Sequence, residues 1–452
     1  MTALEKRATL SLSSIYALRM LGLFMILPVL SLFSEQMEGA TPFLIGLAIS
    51  VYGLTQAILQ IPFGLMSDRF GRKKIIILGL ILFSAGSIVA AVSTTIYGVL
   101  IGRAIQGSGA IAAAIMALVA DLTQEVHRTK AMATIGASIG ISFGVAITLG
   151  PVLATYVGIS GIFWLTGILS ILAIFVVLFI VPNPKKSIVH CDAELVPGQF
   201  SKVLKNPDLL RLDFGIFILH LCLTASFVVL PLLIRDAGLI PQDHWMVYLP
   251  ILITSMAIIV PFVIIAEKKR QMKVVFIGAI VTLMLANIGL FIFFDNLIGL
   301  IGFLWLFFCG FNLLEATLPS LISKTAPADL KGTAMGAYSS SQFMGAFIGG
   351  AVGGWLYGEM GVETVFLFSA IAAGSWVIVA LFMNPPKYLA NMLLSLDDIN
   401  TDLADQFVLD LLDIVGVEEV TLHFEESVAY LKVDNKTLQR DKLQSLLDQQ
   451  SI

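Results

Sequence analysis

Glu315 lies inside an apolar stretch, three residues after Asn312 and one helical turn before Pro319. At that spacing Asn312 and Glu315 share a helix face. Burial in hydrocarbon favours the neutral form of a carboxyl group. An acid that takes up and releases a proton is what a proton carrier requires. Four more ionisable side chains fall within apolar stretches: Arg19, Arg103, Asp213 and His220. Such groups are costly at membrane depth and are functional candidates by default. An unperturbed imidazole titrates near about pH 6.5, so His220 is a second proton carrier candidate, unless a structural hydrogen bond holds it. Arg19 and Arg103 complete the candidate relay. Two structural readings compete: a permanent pair of Glu315 with Arg19 or Arg103, or Arg103 held by carbonyls of the first apolar stretch. Asp213, near the end of its stretch, is expected at the membrane interface.

Polar residues also recur at helical spacing. Tyr52, Gln56 and Gln60 form one stripe, Tyr338 and Gln342 a second, and His220 and Thr224 a third. Residues four apart lie one above the other on a helix. With Asn312 these stripes fit the wall of a water-filled cavity, or else interhelical hydrogen bonding. Phe24 and Phe227 are aromatic candidates for the same wall, but thirty phenylalanines give little basis for choice. One acid among amides and aromatics suits a small lipophilic or cationic solute.

The elements that must position these groups follow from composition. Of 452 residues, 58% are hydrophobic and 13% charged, with a mean hydropathy of +0.93. Soluble proteins carry about 25% charged residues. The excess apolar residues need a bilayer, and this excludes an ordinary soluble enzyme or nucleic-acid-binding module. Cys191, Cys222 and Cys309 are too far apart in sequence for a disulfide framework or a metal ligand set. No removable signal peptide is expected at the N-terminus. A spanning helix needs about 20 apolar residues. Twelve stretches qualify, near 9–33, 43–66, 74–95, 97–119, 130–157, 160–181, 210–234, 245–266, 273–294, 297–322, 332–358 and 363–384. Alternate loops collect twenty Lys and Arg residues on one side and only Arg235 on the other. The positive-inside rule makes the basic side, and both termini, cytoplasmic.

The chain repeats itself. Ala117–Ala133, shifted by 203, aligns with Ser320–Gly336, and Pro62…Asp68-Arg69…Lys74 parallels Pro261…Glu267-Lys268…Lys273. Parallel repeats of this kind suggest alternating access, with the site at the repeat interface. The expected fold is an all-α membrane protein, with twelve helices in two pseudo-symmetric six-helix bundles, 1–181 and 210–386, joined by a cytoplasmic linker, 182–209. Beyond 387 the composition changes to thirteen acids against four bases. This tail, 387–452, reads as strand 389–395, helix 402–415, strand 417–424, a turn at Glu425-Glu426, strand 427–433 and helix 437–448. Val417, Val420 and Leu422 would face Val428, Tyr430 and Lys432-Val433 in a hairpin.

The loop after the second span reads Gly64-Leu-Met-Ser-Asp68-Arg69-Phe70-Gly71-Arg72-Lys73. It resembles the signature G-x-x-x-D-[RK]-x-G-[RK]-[RK] of the major facilitator superfamily. The resemblance implies a gate in which Asp68 accepts from the helix N-terminus near Gly332, while Arg72 pairs with Asp121. A basic loop without gating function is the alternative. Arg103-Ala-Ile-Gln106-Gly107 is similar to the family motif R-x-x-Q-G, whose arginine is associated with proton transfer in proton-coupled members. Gly150-Pro151 resembles the antiporter motif G-x-x-x-G-P-x-x-G, although Ala146 and Ala154 stand where glycines are usual. The tail, through Leu411–Val417, resembles the ferredoxin-like fold of heavy-metal-associated domains, without their Cys-x-x-Cys.

The resemblance as a whole implies a drug:proton antiporter type in a bacterial inner membrane, and no catalytic residue, metal or cofactor is expected. The proton gradient would drive it; without a Walker loop, direct ATP coupling is not expected. Its partners would be a small-molecule substrate, protons and the bilayer, with no nucleic acid, and the chain is expected to act as a monomer. The acidic tail could bind an ion or a protein, dock on Lys185-Lys186 or Arg72-Lys73 to bias the gate, or serve as a stability module. Two rival functions stay open: a proton symporter for a metabolite, and a sensor with a ligand-binding tail. The sign of the solute gradient driven by protons separates symport from export.

Overall fold

The structure is a computed structural model that describes residues 1–183, 200–327, 330–385, 390–395, 404–423, 428–434 and 437–450. Lys185-Lys186, Cys191 and the Glu425-Glu426 turn lie outside the described residues. Backbone groups in hydrocarbon must bond within their own segment, and the apolar stretches are helical. The first half holds α1 (Ala3–Phe33), α2 (Pro42–Phe70), α3 (Arg72–Val92), α4 (Ile96–Ser108), α5 (Ala112–Leu122) and α6 (Glu125–Phe179). After the short α7 (Phe200–Leu204) come α8 (Pro207–Asp236), α9 (Trp245–Lys268), α10 (Met272–Ile292), α11 (Leu297–Thr325), α12 (Lys331–Met360) and α13 (Glu363–Leu381).

Among the described residues, ten helical stretches are long and apolar enough to cross a bilayer. The count falls short of twelve spans for two reasons. The glycine- and serine-rich sequence of α12 lowers its hydropathy. The expected spans 130–157 and 160–181 run together as α6, whose backbone leaves helical geometry at Gly158, φ 68°. A straight helix of 55 residues would be about 80 Å long, against about 30 Å of hydrocarbon. Instead the chain doubles back. His127 near the start of α6 meets the Met1 amine, and Ile180 just after its end accepts from Arg7 Nε. Both ends of α6 therefore lie beside the start of α1.

Within the first half, α1 packs on α6, α3 on α4 and α6, and α2 on α4. Within the second, α8 packs on α12 and α13, α10 on α11 and α13, and α9 on α11. The halves meet through α2 with α12, α1 with α8, and α6 with α9. The end bearing Arg69–Lys74 and Lys268–Arg270 is called the basic end below, and the end bearing Pro42 and Met360 the opposite end.

The tail carries β1 (Ala390–Ser395), α14 (Ala404–Leu412), β2 (Val417–His423), β3 (Val428–Val433) and α15 (Arg440–Gln450). Its antiparallel sheet has the order β1-β3-β2, consistent with a ferredoxin-like domain. Phe407, Leu411, Ala429, Leu431, Val433 and Leu443 form its core. The hairpin register differs from expectation. Val420 faces Leu431 and Leu422 faces Ala429, one residue away from the Tyr430 and Val428 pairing. An irregularity between Val417 and Glu419 causes the slip, and it turns Ala429 and Leu431 inward.

Candidate functional site

Within the second half, two of the polar stripes and Glu315 come together. On α8 and α12, His220 Nε2 lies 2.8 Å from Gln342 Nε2. Glu315 Oε2 on α11 lies 4.0 Å from the same imidazole nitrogen. Glu315 keeps 40% of its side-chain surface open, yet its Oε2 lacks a hydrogen-bond partner among the described residues, as do His220 Nδ1 and the Tyr338 hydroxyl. Glu315 is thus beside His220, not in a permanent pair with Arg19 or Arg103. Asn312 donates to Ser255 Oγ at 3.0 Å and so is tied to α9. Thr224 is buried in the packing of α8.

The first half supplies a cation. Arg19 on α1 donates to the Tyr52 hydroxyl at 2.7 Å and to Gln56 Oε1 at 2.6 Å, and Gln56 donates to Gln60 at 3.4 Å. Its remaining nitrogens, Nε and one terminal nitrogen, have no partner among the described residues. Arg103 stands apart from this group. Its Nε and one terminal nitrogen donate to the carbonyls of Ala48 and Ile49, and the other terminal nitrogen to Gln106. The Tyr52 ring covers it at 4.9 Å. Arg103 therefore staples α4 to α2, the structural alternative, with the carbonyls on the second span instead of the first.

Sequence reasoning missed two features. Asp213 is buried on α8, two turns from His220, with one carboxylate oxygen lacking a partner among the described residues. Its side chain packs inside the protein, near the start of α8 at Pro207. The aromatic wall is Phe24 with Phe143 at 5.0 Å, continued by Phe308 and Phe311, the last 5.9 Å from His220. Phe24 was named from sequence, but no pattern among the phenylalanines marks Phe143 or Phe311. Phe227, also named from sequence, meets Phe308 edge-on at 6.5 Å and stacks on Tyr248 at 6.1 Å, so it backs the same wall.

At the basic end, Gly71 has φ 101° and turns the chain directly from α2 into α3. That turn puts Arg72 against Asp68 and lets Arg72 Nε donate to Asp121 Oδ2 at 3.3 Å. Arg72 also reaches Ser67 Oγ at 3.0 Å. Lys73 holds Val181 O and Asn183 at the end of the sixth span, and Arg69 lies over the Phe70 ring. Asp68 and Gly332 do not form the expected helix-terminus contact. They line a cavity of about 100 Å³ between α2, α5 and α12, with Gln60, Gly64 and Ser339. Gly150 approaches Met25 on α1, and the buried Ala146 and Ala154 keep that seam narrow around Pro151.

The halves touch toward the opposite end. A Cβ on Gly354 would lie 2.6 Å from Pro42 O, and one on Gly53 would lie 2.6 Å from Phe343 O. Only small residues permit such backbone approach between membrane helices. Ser31 on α1 donates to Phe227 O on α8 at 2.8 Å, and Arg235 donates to Glu35 at 2.8 Å across the halves. Beside these contacts the same end holds a cavity of about 230 Å³, lined by Ser31, Glu35, Pro42, Val228 and Tyr357.

A profile of the Major Facilitator Superfamily matches residues 12–350. The chain is 46% identical over 449 residues to "Inner membrane transport protein YajR" of Escherichia coli (strain K12), covering 99% of each chain. It is 40% identical to "Uncharacterized transporter BU466" of Buchnera aphidicola subsp. Acyrthosiphon pisum, covering 77% of this chain and 90% of that one. It is 26% identical to "Quinolone resistance protein NorA" of Staphylococcus aureus (strain MSSA476), over 79% of this chain and 92% of that one. Among solved structures, the human organic anion transporter MFSD10 superposes with a TM-score of 0.62 at 19% identity, over 84% of this chain and all of that one.

Proposed function

The chain belongs to the major facilitator superfamily, and from that premise we propose that this multi-pass membrane transporter is a proton-coupled exporter of small lipophilic cations. The observation that carries the reading is the Glu315–His220 pair, two ionisable groups 4.0 Å apart on membrane helices, each with a polar atom that has no partner among the described residues. In the reading, Glu315 releases its proton toward the basic end, and the carboxylate then holds a cationic solute against Phe24, Phe143 and Phe311. A proton arriving after the reversal of access displaces the solute. Exchange of one proton for one monovalent cation moves no net charge, so in this reading the pH gradient is the driving force, about 1.4 kcal/mol and a tenfold solute ratio per pH unit. The resistance activity in the name of a 26% identical relative supports a lipophilic solute.

The loop charges support a cytoplasmic basic end with both termini on that side, in a bacterial inner membrane. In this reading the end at which α2 and α12 touch is periplasmic and the state faces inward. The division into bundles 1–181 and 210–386, the linker 182–209 and the tail 387–452 belongs to the same reading. Arg72, Asp68 and Asp121 act as the gate that rearranges as Asp68 approaches Gly332. Arg19 tunes the site from the first half, and Arg103 acts as a positioning residue. The test is a pH gradient across liposomes, with proton flux recorded on adding lipophilic cations. Glu315→Gln is expected to abolish coupled flux with solute binding retained. Equal flux in wild type and variant removes Glu315 from the coupling.

A further inference from the structure

The two halves carry unlike versions of one charged cluster. In the first, the α2–α3 turn and the end of α5 meet through Arg72 and Asp121. The internal repeat, with its shift of 203, places Lys324 at the position of Asp121. In the structure Lys324, at the end of α11, binds both carboxylate oxygens of Glu267, at the end of α9, at 2.6 and 2.7 Å. The linkage between these elements is kept, but its polarity is reversed. One cation of the second loop, Arg270, is then turned away from Lys324. It takes left-handed geometry, φ 55°, uncommon outside glycine.

The tail meets Arg270 there. Asp434, just past β3, accepts from both terminal nitrogens of Arg270, at 2.6 and 3.2 Å. Two residues earlier, Lys432 is 4% exposed and donates to the carbonyls of Lys324 and Ala326. Those carbonyls end α11, where the helix dipole and unsatisfied acceptors favour a cation. Glu419 on β2 sits 3.3 Å from the same ammonium and offsets its charge. The described tail contacts thus fall on the second half, not on Arg72-Lys73.

We propose that the tail is the second half's lock: Asp434 and Lys432 pin the α9–α10 turn to the end of α11, so that the second bundle and the tail move as one body while the first half's lock works alone. The tail's acidic edge and buried lysine recognise a surface of this same chain, one arginine beside the helix-end carbonyls of α11. The proposal does not depend on proton coupling or on the substrate.

Hydrogen–deuterium exchange of the full chain in nanodiscs tests it. An ion pair partly open to water is worth little, so Asp434→Asn is expected to speed exchange in 268–272 about threefold. Lys432→Met leaves buried helix-end carbonyls unpaired and is expected to speed exchange in 322–327 about tenfold. The swap of Arg270→Asp with Asp434→Arg, which keeps both charges, is expected to restore the turn toward wild type. Unchanged exchange at both segments in the single variants overturns the proposal. If a single variant also melts the tail core at Leu411 and Leu431, the swap decides. Restored protection supports the lock, and persistent fast exchange refutes it.

Discussion

Replacing Gly354 by alanine separates two effects that usually arrive together. Its added Cβ would lie 2.6 Å from Pro42 O and 3.0 Å from Gly46 Cα, both backbone atoms of α2 that cannot rotate aside. Overpacking of this kind costs about 1–3 kcal/mol. The strain exists only while the opposite end is closed, so it shifts the equilibrium toward the open form by roughly 5- to 150-fold. The same substitution gains about 1 kcal/mol of helix propensity, but equally in both forms. Gly278→Ala is the control. On α10 nothing lies within 4 Å of its Cβ, so it receives the propensity gain without the clash. Spin labels at the exposed Glu38 and Glu359, in a background lacking the three cysteines, report the separation of the halves at the opposite end. Gly354→Ala should populate a longer distance that Gly278→Ala does not. Identical distance distributions in the two variants, both folded, would refute the seam as the closing contact.

The remaining expectations are as direct. Asp121 is fully buried beside Arg72, whereas Asp68 is 26% exposed. Asp121→Asn should therefore cost about 3 kcal/mol and Asp68→Asn about 1 kcal/mol, and a thermal melt showing the reverse order would contradict the gate geometry. Arg103→Gln abandons two α2 carbonyls and should lower thermal stability by about 2 kcal/mol, while Arg19→Gln should spare stability and alter solute affinity; an affinity change confined to Arg103→Gln would invert their assignments. Glu5, on the turns of α1 before the apolar run, is held at about 2 chiefly by the Gln124 and Thr2 amides, with His127 adding to this. A depressed carboxyl stabilises the fold above its ordinary value and loses that contribution as pH falls from about 4.5 to about 2. The melting difference between wild type and Glu5→Gln should accordingly be constant from pH 7 to 5 and shrink below.

The spans, the Gly71 turn and the strand–helix order of the tail were legible because each rests on local chemistry: apolar length, a positive φ, alternation of side chains. The acid–imidazole pair was half legible. Both residues stood out as charges at membrane depth, but their meeting depends on three helices whose order around the axis no local pattern encodes. The stapling contacts of Arg103 were not legible because a motif marks a position and not the direction of a side chain; the two carbonyls it binds lie on a helix about fifty residues earlier. The burial of Asp213 was not legible, because distance from a span boundary says nothing of which side chains the neighbouring helices cover. The hairpin slipped by one residue because a single irregularity near Val417 reverses which face is inward. The Asp68–Gly332 contact failed for another reason: a sequence carries every state of a moving protein, and the structure holds one.

The reversal at Gly158 bears on how the chain reaches its membrane. Spans 130–157 and 160–181 are joined by a bend at Gly158 with no polar loop between them. An ordinary pair of spans can enter one at a time, the second following after a hydrophilic segment has crossed. Here no such segment exists to be translocated, and stopping after the first helix would leave the second with its apolar surface in water. The two must leave the insertion machinery as a preformed hairpin. Enlarging residue 158 would then be felt first as failed biogenesis, before any effect on transport.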